Sequence, residues 1–187
     1  MRIRRRRTAT VALATFAATV TAGVAVAPAA AATAAAADPH AATGRVCMFD
    51  APKGALSLGH VAWAYRWSDG SDTWDYGATL ADHNWEKHAP EQQMLQDFAT
   101  LNESGGYKSY RCKDTAADDQ SAAEAAVAAG FARPYNLAED NCLTRSVQIF
   151  KAYDGSGGLN GMPDGKFVFP NAYFNYDLSG WEDAKSL

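Results

Sequence analysis

The chain has 187 residues, of which 48% are hydrophobic and 20% charged, and its formal net charge is −4 at pH 7. Five of the 17 basic residues and none of the 21 acidic ones lie in the first 37 positions, which leaves 12 basic and 21 acidic residues, a net charge of −9, for the rest. So acidic a domain argues against partnership with nucleic acid or anionic lipid. The roughly 150 remaining residues suffice for one compact domain with its own core.

The amino-terminal stretch has the pattern of an export signal. Five arginines fall within the first seven residues, an apolar run covers residues 11–27, and several Ala-x-Ala sequences lie between Ala25 and Ala37. This order is typical of a secretory signal peptide, and the run is too rich in Ala and Thr to favour a membrane anchor. We therefore predict a signal peptide and Ala-rich leader over 1–37, a disordered linker over 38–43, and a secreted single domain over 44–187 with no stable membrane insertion.

The chain contains three cysteines, Cys47, Cys112 and Cys142. Exported proteins meet an oxidising environment in which disulfides persist, and an odd count leaves one cysteine over. Because Cys47 and Cys112 lie in strand-like segments that could be neighbours, we predict that they form a disulfide and that Cys142 is a free thiol. The alternative is that all three are reduced and packed in the interior.

The first half of the domain predicts strands. Residues 44–50 form a short first strand, and a turn follows over 51–54. Residues 59–67 alternate between a mostly aromatic and a mostly small set, a period of two that is typical of a strand. A glycine-containing turn over 68–72 then predicts a hairpin whose return strand covers 73–80.

The second half predicts mainly helices joined by polar connectors. Apolar residues at helical spacing and good terminal residues support each helix. The expected segments are an irregular polar connector over 81–89, helices over 90–101, 115–129 and from 139–141 to 153, and strands over 107–112 and 166–169. The fold class is therefore α+β, with one antiparallel sheet and about three helices.

Cys142 is the candidate nucleophile. Asp140 or Asn141 is a good N-cap, which places Cys142 in the first turn of a helix. Unpaired N–H groups and the positive end of the helix dipole favour a thiolate there, and the same N–H groups could hold an oxyanion during acyl transfer. The alternative is a small buried core residue, since free cysteines are often buried.

His60 is the candidate base. Its neighbours on the same strand face, Ala62 and Ala64, are small and leave room for the Cys142 helix to pack closely, which would bring the imidazole to the helix start. The alternative is a solvated histidine at a strand end.

Asp75 is the candidate for orienting the imidazole. A hairpin that turns around Asp69-Gly70 makes His60 face Thr79 and Ala64 face Asp75, so Asp75 would share a face with His60. Thr79 is another option, and a register change of one residue would substitute Tyr76. The alternative is that Asp75 is a surface residue near a turn.

These residues carry a family resemblance. The pattern Tyr135-Asn136-Leu137, three residues, Asn141-Cys142 before a helix, with Gly59-His60 on an earlier strand, resembles the circularly permuted papain-fold cysteine hydrolases of the NlpC/P60 superfamily. The resemblance covers roughly residues 45–153. The resemblance implies that Cys142 is the nucleophile, His60 the base and Asp75 the polar third member. It also implies that Tyr135 or the Cys142 backbone N–H stabilises the oxyanion.

The function that follows is a secreted cysteine-dependent hydrolase that cuts an amide bond, with peptidoglycan or a peptide as substrate. A non-catalytic secreted binding module with the same fold is the alternative, and an acyltransferase is a third. The chain has no zinc-ligand spacing and no phosphate-binding glycine loop, so neither a metal nor an organic cofactor is implied.

Overall fold

The computed structural model describes residues 43–155 and 157–187. The leader predicted for 1–37 and nearly all of the linker predicted for 38–43 lie outside the described residues. The described part is α+β, as expected, with one six-stranded antiparallel sheet and five helices. The strands are β1 (Gly44–Ala51), β2 (His60–Arg66), β3 (Thr73–Thr79), β4 (Asn84–Pro90), β5 (Ser109–Thr115) and β6 (Lys185–Ser186). Their order across the sheet is β4-β3-β2-β1-β5-β6.

Residues 43–155 and 157–187 contain five α-helices where about three helices were expected. They are α1 (Gly54–Ser57), α2 (Glu91–Thr100), α3 (Gln120–Ala132), α4 (Cys142–Asp154) and α5 (Pro170–Ala172). The three long ones correspond to the three predicted helices. The other two span four and three residues, which is too short to show a helical period in a sequence.

The central strand β2 is buried on both faces. Val61, Trp63 and Tyr65 pack in one hydrophobic cluster with α3 and α4. Ala62 and Ala64 pack in a second cluster that contains the buried side chains of α2. The sheet therefore separates two cores. On β2, the large side chains lie under α4 and the two alanines lie on the α2 side.

Two stretches were assigned wrongly from the sequence. Residues 84–90 form the edge strand β4 rather than an irregular connector, and their largely exposed side chains explain why no apolar alternation marks the strand. Residues 166–169 form no strand, and Phe167 has a left-handed φ of 58°. The last strand is instead the short β6.

The helix α3 begins five residues later than predicted. Asp119 is its N-cap, because the Asp119 carboxylate accepts a hydrogen bond from the Ala122 N–H at 3.0 Å. Thr115 closes strand β5 instead of opening the helix. The Asp119 cap thus determines where the helix begins, which the Ala-rich composition did not predict correctly.

The predicted disulfide is confirmed. Cys47 on β1 and Cys112 on β5 are directly opposite in the strand register and are bonded. Cys142 is the remaining free cysteine, and it is buried. Of the helices in the described part, none is long and apolar enough to cross a membrane.

The disulfide should contribute measurably to stability. Because the bond closes a loop between residues 65 apart in sequence, we expect the Cys47→Ala/Cys112→Ala variant to lose about 2–4 kcal/mol of unfolding free energy, chiefly through a freer unfolded chain. Urea denaturation of both proteins measures the loss. Thiol titration of the unreduced, denatured wild type should give one thiol per chain, and three would contradict the pairing.

Candidate functional site

The start of α4 is fixed by its cap, Asn141. The Asn141 Oδ1 accepts hydrogen bonds from the N–H groups of Leu143 at 2.9 Å and Thr144 at 3.1 Å. In return, Thr144 Oγ1 accepts from the Asn141 N–H at 2.8 Å. This reciprocal capping box locks the first turn of the helix and so fixes the position of Cys142.

The N–H of Cys142 itself is less firmly bonded. Its contact is a long one, 3.4 Å, to the hydroxyl oxygen of Tyr135. The next two N–H groups of the helix are held by the cap, so the Cys142 N–H is the one that a ligand could recruit most readily. The Tyr135 hydroxyl, whose oxygen accepts from this N–H, also hydrogen-bonds the Cys142 sulfur, so both groups lie beside the thiol.

Tyr135 is positioned by a buried ion pair. The Arg145 guanidinium, on a side chain that is 1% exposed, lies 5.6 Å from the centre of the Tyr135 ring. Arg145 Nε donates to Asp140 at 2.8 Å, and the Arg145 Nη2 donates to the carbonyl of Pro134 at 2.9 Å. Arg133 also contacts Asp140, and the two guanidinium groups hold the pKa of the Asp140 carboxyl far below its usual value. The segment that carries Tyr135 is thereby tied to the base of α4.

The Cys142 thiol and the His60 imidazole act on each other's ionisation. Burial alone would raise the pKa of Cys142, but the charge and hydrogen bonding of His60 lower it below its ordinary value, helped by the Val61 N–H and the Tyr135 hydroxyl. Burial likewise opposes the charged form of His60, yet the charges of Cys142, Glu103 and Asp50 leave the pKa of His60 raised. These opposite shifts favour a thiolate–imidazolium pair.

The two residues meet by a different route from the one expected. The helix that carries Cys142 packs on the Val61, Trp63 and Tyr65 face of β2, not on the alanine face that His60 shares. His60 is the first residue of β2, and its ring lies 6.0 Å from that of Tyr107. Because His60 is at the end of its strand, its side chain can extend past the end of the sheet to the start of a helix that packs on the other face. The expectation that small neighbours make room for α4 was therefore wrong.

Asp75 is not brought to His60. Tyr65, not Ala64, pairs with Asp75, because the hairpin closes through a five-residue loop centred on Gly70. The expected register was wrong by one residue, which moves the Asp75 side chain to the opposite face of the sheet. Tyr65 is five positions along β2 from His60, roughly 16 Å at the usual strand rise. There Asp75 lines a separate cavity with Glu86 and Glu124.

The other two options for a third member also lie on β3, and of these only Tyr76 has a side chain that is hydrogen-bonded within the described residues. Tyr76 faces Ala64 and donates its hydroxyl hydrogen to Asp97 Oδ2 at 2.7 Å. Thr79 pairs with Asn84 on β4. Neither is among the groups that shift the pKa of His60.

The charged residues near His60 that sequence reasoning missed are Glu103 and Asp50, whose charges both raise the pKa of the imidazole. Asp50 lies on β1, the strand next to β2. It precedes Ala51, which pairs directly with His60, and it is 5% exposed. Burial raises the pKa of the Asp50 carboxyl to about 6, while the charge of His60 acts to lower it. Asp50 Oδ1 and His60 Nε2 are both buried without a hydrogen-bond partner among the described residues. The antiparallel pairing of the first two predicted strands was the signal that could have revealed it.

Cys142 forms part of the lining of a cleft with a volume of about 330 Å³. Three segments build the walls, residues 55–59, 135–142 and 167–170. The thiol residue is only 3% exposed, so a ligand must enter the cleft to reach it. Within the described part of the chain, no three or more His, Cys, Asp or Glu side chains are grouped to hold a metal ion.

Comparisons of the chain with protein-family models, with curated proteins and with solved structures gave no match.

The ionisation of Cys142 gives a direct test. Because His60 stabilises the thiolate, we expect iodoacetamide to alkylate native Cys142 rapidly well below pH 8, and His60→Ala to shift the inflection of the rate toward the ordinary value of about 8.5. His88→Ala, which changes an exposed histidine of β4, is the matched control and should leave the profile unchanged. A wild-type thiol that reacts only above pH 8 or after denaturation would refute the ion pair.

The raised pKa of Asp50 has a consequence for stability. Its folded-state pKa of about 6 lies above the usual unfolded value, so the fold favours the protonated carboxyl and loses stability as the pH rises through this range. We expect Asp50→Asn to raise the unfolding free energy by about 1–2 kcal/mol at pH 7.5, after allowance for solvent screening, and to change it little at pH 4.

Urea denaturation at the two pH values measures the effect of Asp50→Asn. The control is Asp72→Asn in the exposed β2–β3 loop, which should be neutral at both. Equal stability of Asp50→Asn and wild type at pH 7.5 would show that burial of the ionised Asp50 carboxylate does not destabilise the fold.

Proposed function

We propose that the protein is a secreted cysteine-dependent hydrolase that cuts an amide bond, with Cys142 as nucleophile and His60 as base. The observation that carries the proposal is the opposite displacement of the two pKa values, which favours a thiolate–imidazolium pair at the capped start of α4. Structural ion pairs can shift pKa values too, but this one borders a cleft. A nucleophile in a cleft next to its base is the arrangement that covalent catalysis requires.

The reaction would proceed in two steps. The Cys142 thiolate attacks the carbonyl carbon and forms a C–S bond; as the C–N bond breaks, the leaving amine takes a proton from the His60 imidazolium. Water then attacks the acyl thioester while His60 accepts its proton, and cleavage of the C–S bond releases the acid and restores the thiolate.

The negative charge that develops on the carbonyl oxygen needs donors. The Cys142 N–H and the Tyr135 hydroxyl lie together beside the thiol and are suited to that role. Glu103 and Asp50 would favour the protonated imidazolium through their charges. Asp75, which lies on the other face of the sheet, is left without a part in this proposal.

The place of action is inferred from the chain as a whole. The leader has the pattern of an export signal, and the Cys47–Cys112 disulfide is consistent with an oxidising compartment. Peptidoglycan is an amide-containing polymer outside the cell and is the substrate that the family resemblance suggests.

One observation favours a second function, a non-catalytic binding module. His60 Nε2 has no hydrogen-bond partner within the described residues, so no side chain there orients the imidazole as catalysis usually demands. On this alternative the cleft binds a ligand and the thiol never forms a covalent bond.

Hydrolysis of an N-acyl p-nitroanilide separates the two functions. We expect Cys142→Ser and His60→Gln each to lower kcat/KM roughly 10³-fold or more, because nucleophile and base act as one unit, and His88→Ala to be neutral. Acid quenching of the wild type during turnover should trap an acyl group on Cys142, detectable by mass spectrometry. Activity that survives in a folded Cys142→Ser variant would overturn Cys142 as the nucleophile. A wild type that forms no adduct and yields no product would favour the binding module.

A further inference from the structure

The cleft in front of Cys142 is largely apolar. No charged side chain lines it within the part of the chain that the structure describes. Its polar lining is limited to Tyr135, Asn141 and Cys142, and Asn141 is already committed to capping α4 and to a 2.7 Å bond to the carbonyl of Leu137. The remaining walls are largely apolar side chains, among them Leu58, Leu137, Phe167, Val168, Phe169 and Pro170.

Several of these apolar side chains face solvent. Phe167 is 75% exposed, Leu137 75% and Phe169 58%. Single exposed apolar residues are normal, but a group gathered around one opening marks a binding surface. Phe167 also has a left-handed φ of 58°, which a bulky residue adopts only when its surroundings enforce it. The backbone strain thus holds an aromatic side chain at the mouth of the cleft.

The walls are joined to one another, so the cleft is formed before any ligand arrives. The Phe167 N–H donates to the Ala138 carbonyl at 3.0 Å, which links the 167–170 wall to the Tyr135 segment. On the opposite side, Asn171 donates its backbone N–H to Leu58 and its side-chain amide to Pro52. Gly59, whose φ is 98°, allows Asn171 to approach this closely, because a side chain at position 59 would collide with Asn171.

We propose that the cleft binds the acyl part of the substrate, and that this acyl group is uncharged and apolar. The inference rests on the proposed function, because the group that a thiolate attacks is the acyl carbonyl and the cleft leads to that thiolate. A carboxylate or ammonium on the acyl chain would be desolvated without any partner charge, which disfavours charged acyl groups. A fatty acyl chain and the side chain of a hydrophobic peptide residue share this chemistry.

A series of straight-chain N-acyl p-nitroanilides from acetyl to octanoyl tests the inference. We expect kcat/KM to rise up to about fourfold per methylene until the cleft is filled, as burial of each group predicts. Adipoyl p-nitroanilide, which ends the six-carbon chain in a carboxylate, should fall at least tenfold below hexanoyl. Phenylalanyl and leucyl peptide p-nitroanilides form a second arm, and faster cleavage of these would assign the cleft to a peptide side chain.

Substitutions at the mouth of the cleft locate the effect. Phe167→Ser and Phe169→Ser should each reduce the increase in kcat/KM that every added methylene brings. Tyr176→Ser removes another exposed aromatic, 84% exposed, that does not line this cleft, and should leave the gain unchanged. A flat response of the wild type to chain length, or equal rates for hexanoyl and adipoyl, would overturn the inference.

Alkylation distinguishes failure of the inference from failure of the proposed function. N-hexyl iodoacetamide should react with native Cys142 at least tenfold faster relative to iodoacetamide than it does in the unfolded chain. A thiol that reacts readily without this preference would leave the nucleophile in place and overturn the apolar cleft. A thiol that reacts with neither reagent, together with absence of hydrolysis, would overturn both proposals.

Discussion

The packing of α4 against the Val61, Trp63 and Tyr65 face of β2 is the contact on which the candidate site depends. It brings the first residue of the helix to the end of the strand where His60 lies. The Asn141 cap then fixes the helix start to within one residue, so that Cys142 rather than a neighbour adjoins the imidazole. Burial, capping and charge therefore act on the same side chain, and each would be ineffective without the others.

Burial has opposite consequences for different groups around this contact. It works against the thiolate and against the imidazolium, yet their mutual interaction, with the Val61 N–H and nearby carboxylates, outweighs that cost. For Asp50 the balance differs, since His60 only partly offsets the burial and the pKa of the carboxyl stays high. Buried charge of this kind costs stability, and groups with such shifted pKa values cluster at functional sites.

The sheet also explains why the third member was placed wrongly. The hairpin is centred on Gly70 rather than between Asp69 and Gly70, which alters the register by one residue, and one residue is enough to turn Asp75 to the other face. The edge strand β4 was missed for a related reason, because its side chains are mostly exposed and carry no apolar period. Register and edge pairing are decided by how strands meet, and a single strand's pattern holds little information about either.

Four features could be inferred from the residues alone: the α+β class, the three long helices, the pairing of Cys47 with Cys112 and the placement of Cys142 at a helix start. The helices and the position of Cys142 follow from periodicity and cap chemistry, which act over a few residues, and the disulfide follows from the odd number of cysteines and two strand-like segments. Three features are evident only in the folded structure: which face of β2 receives α4, that Asp50 rather than Asp75 lies near His60, and that residues 167–170 complete an apolar cleft. Those features join segments far apart in the chain, and their geometry depends on strand register and packing that no local pattern specifies.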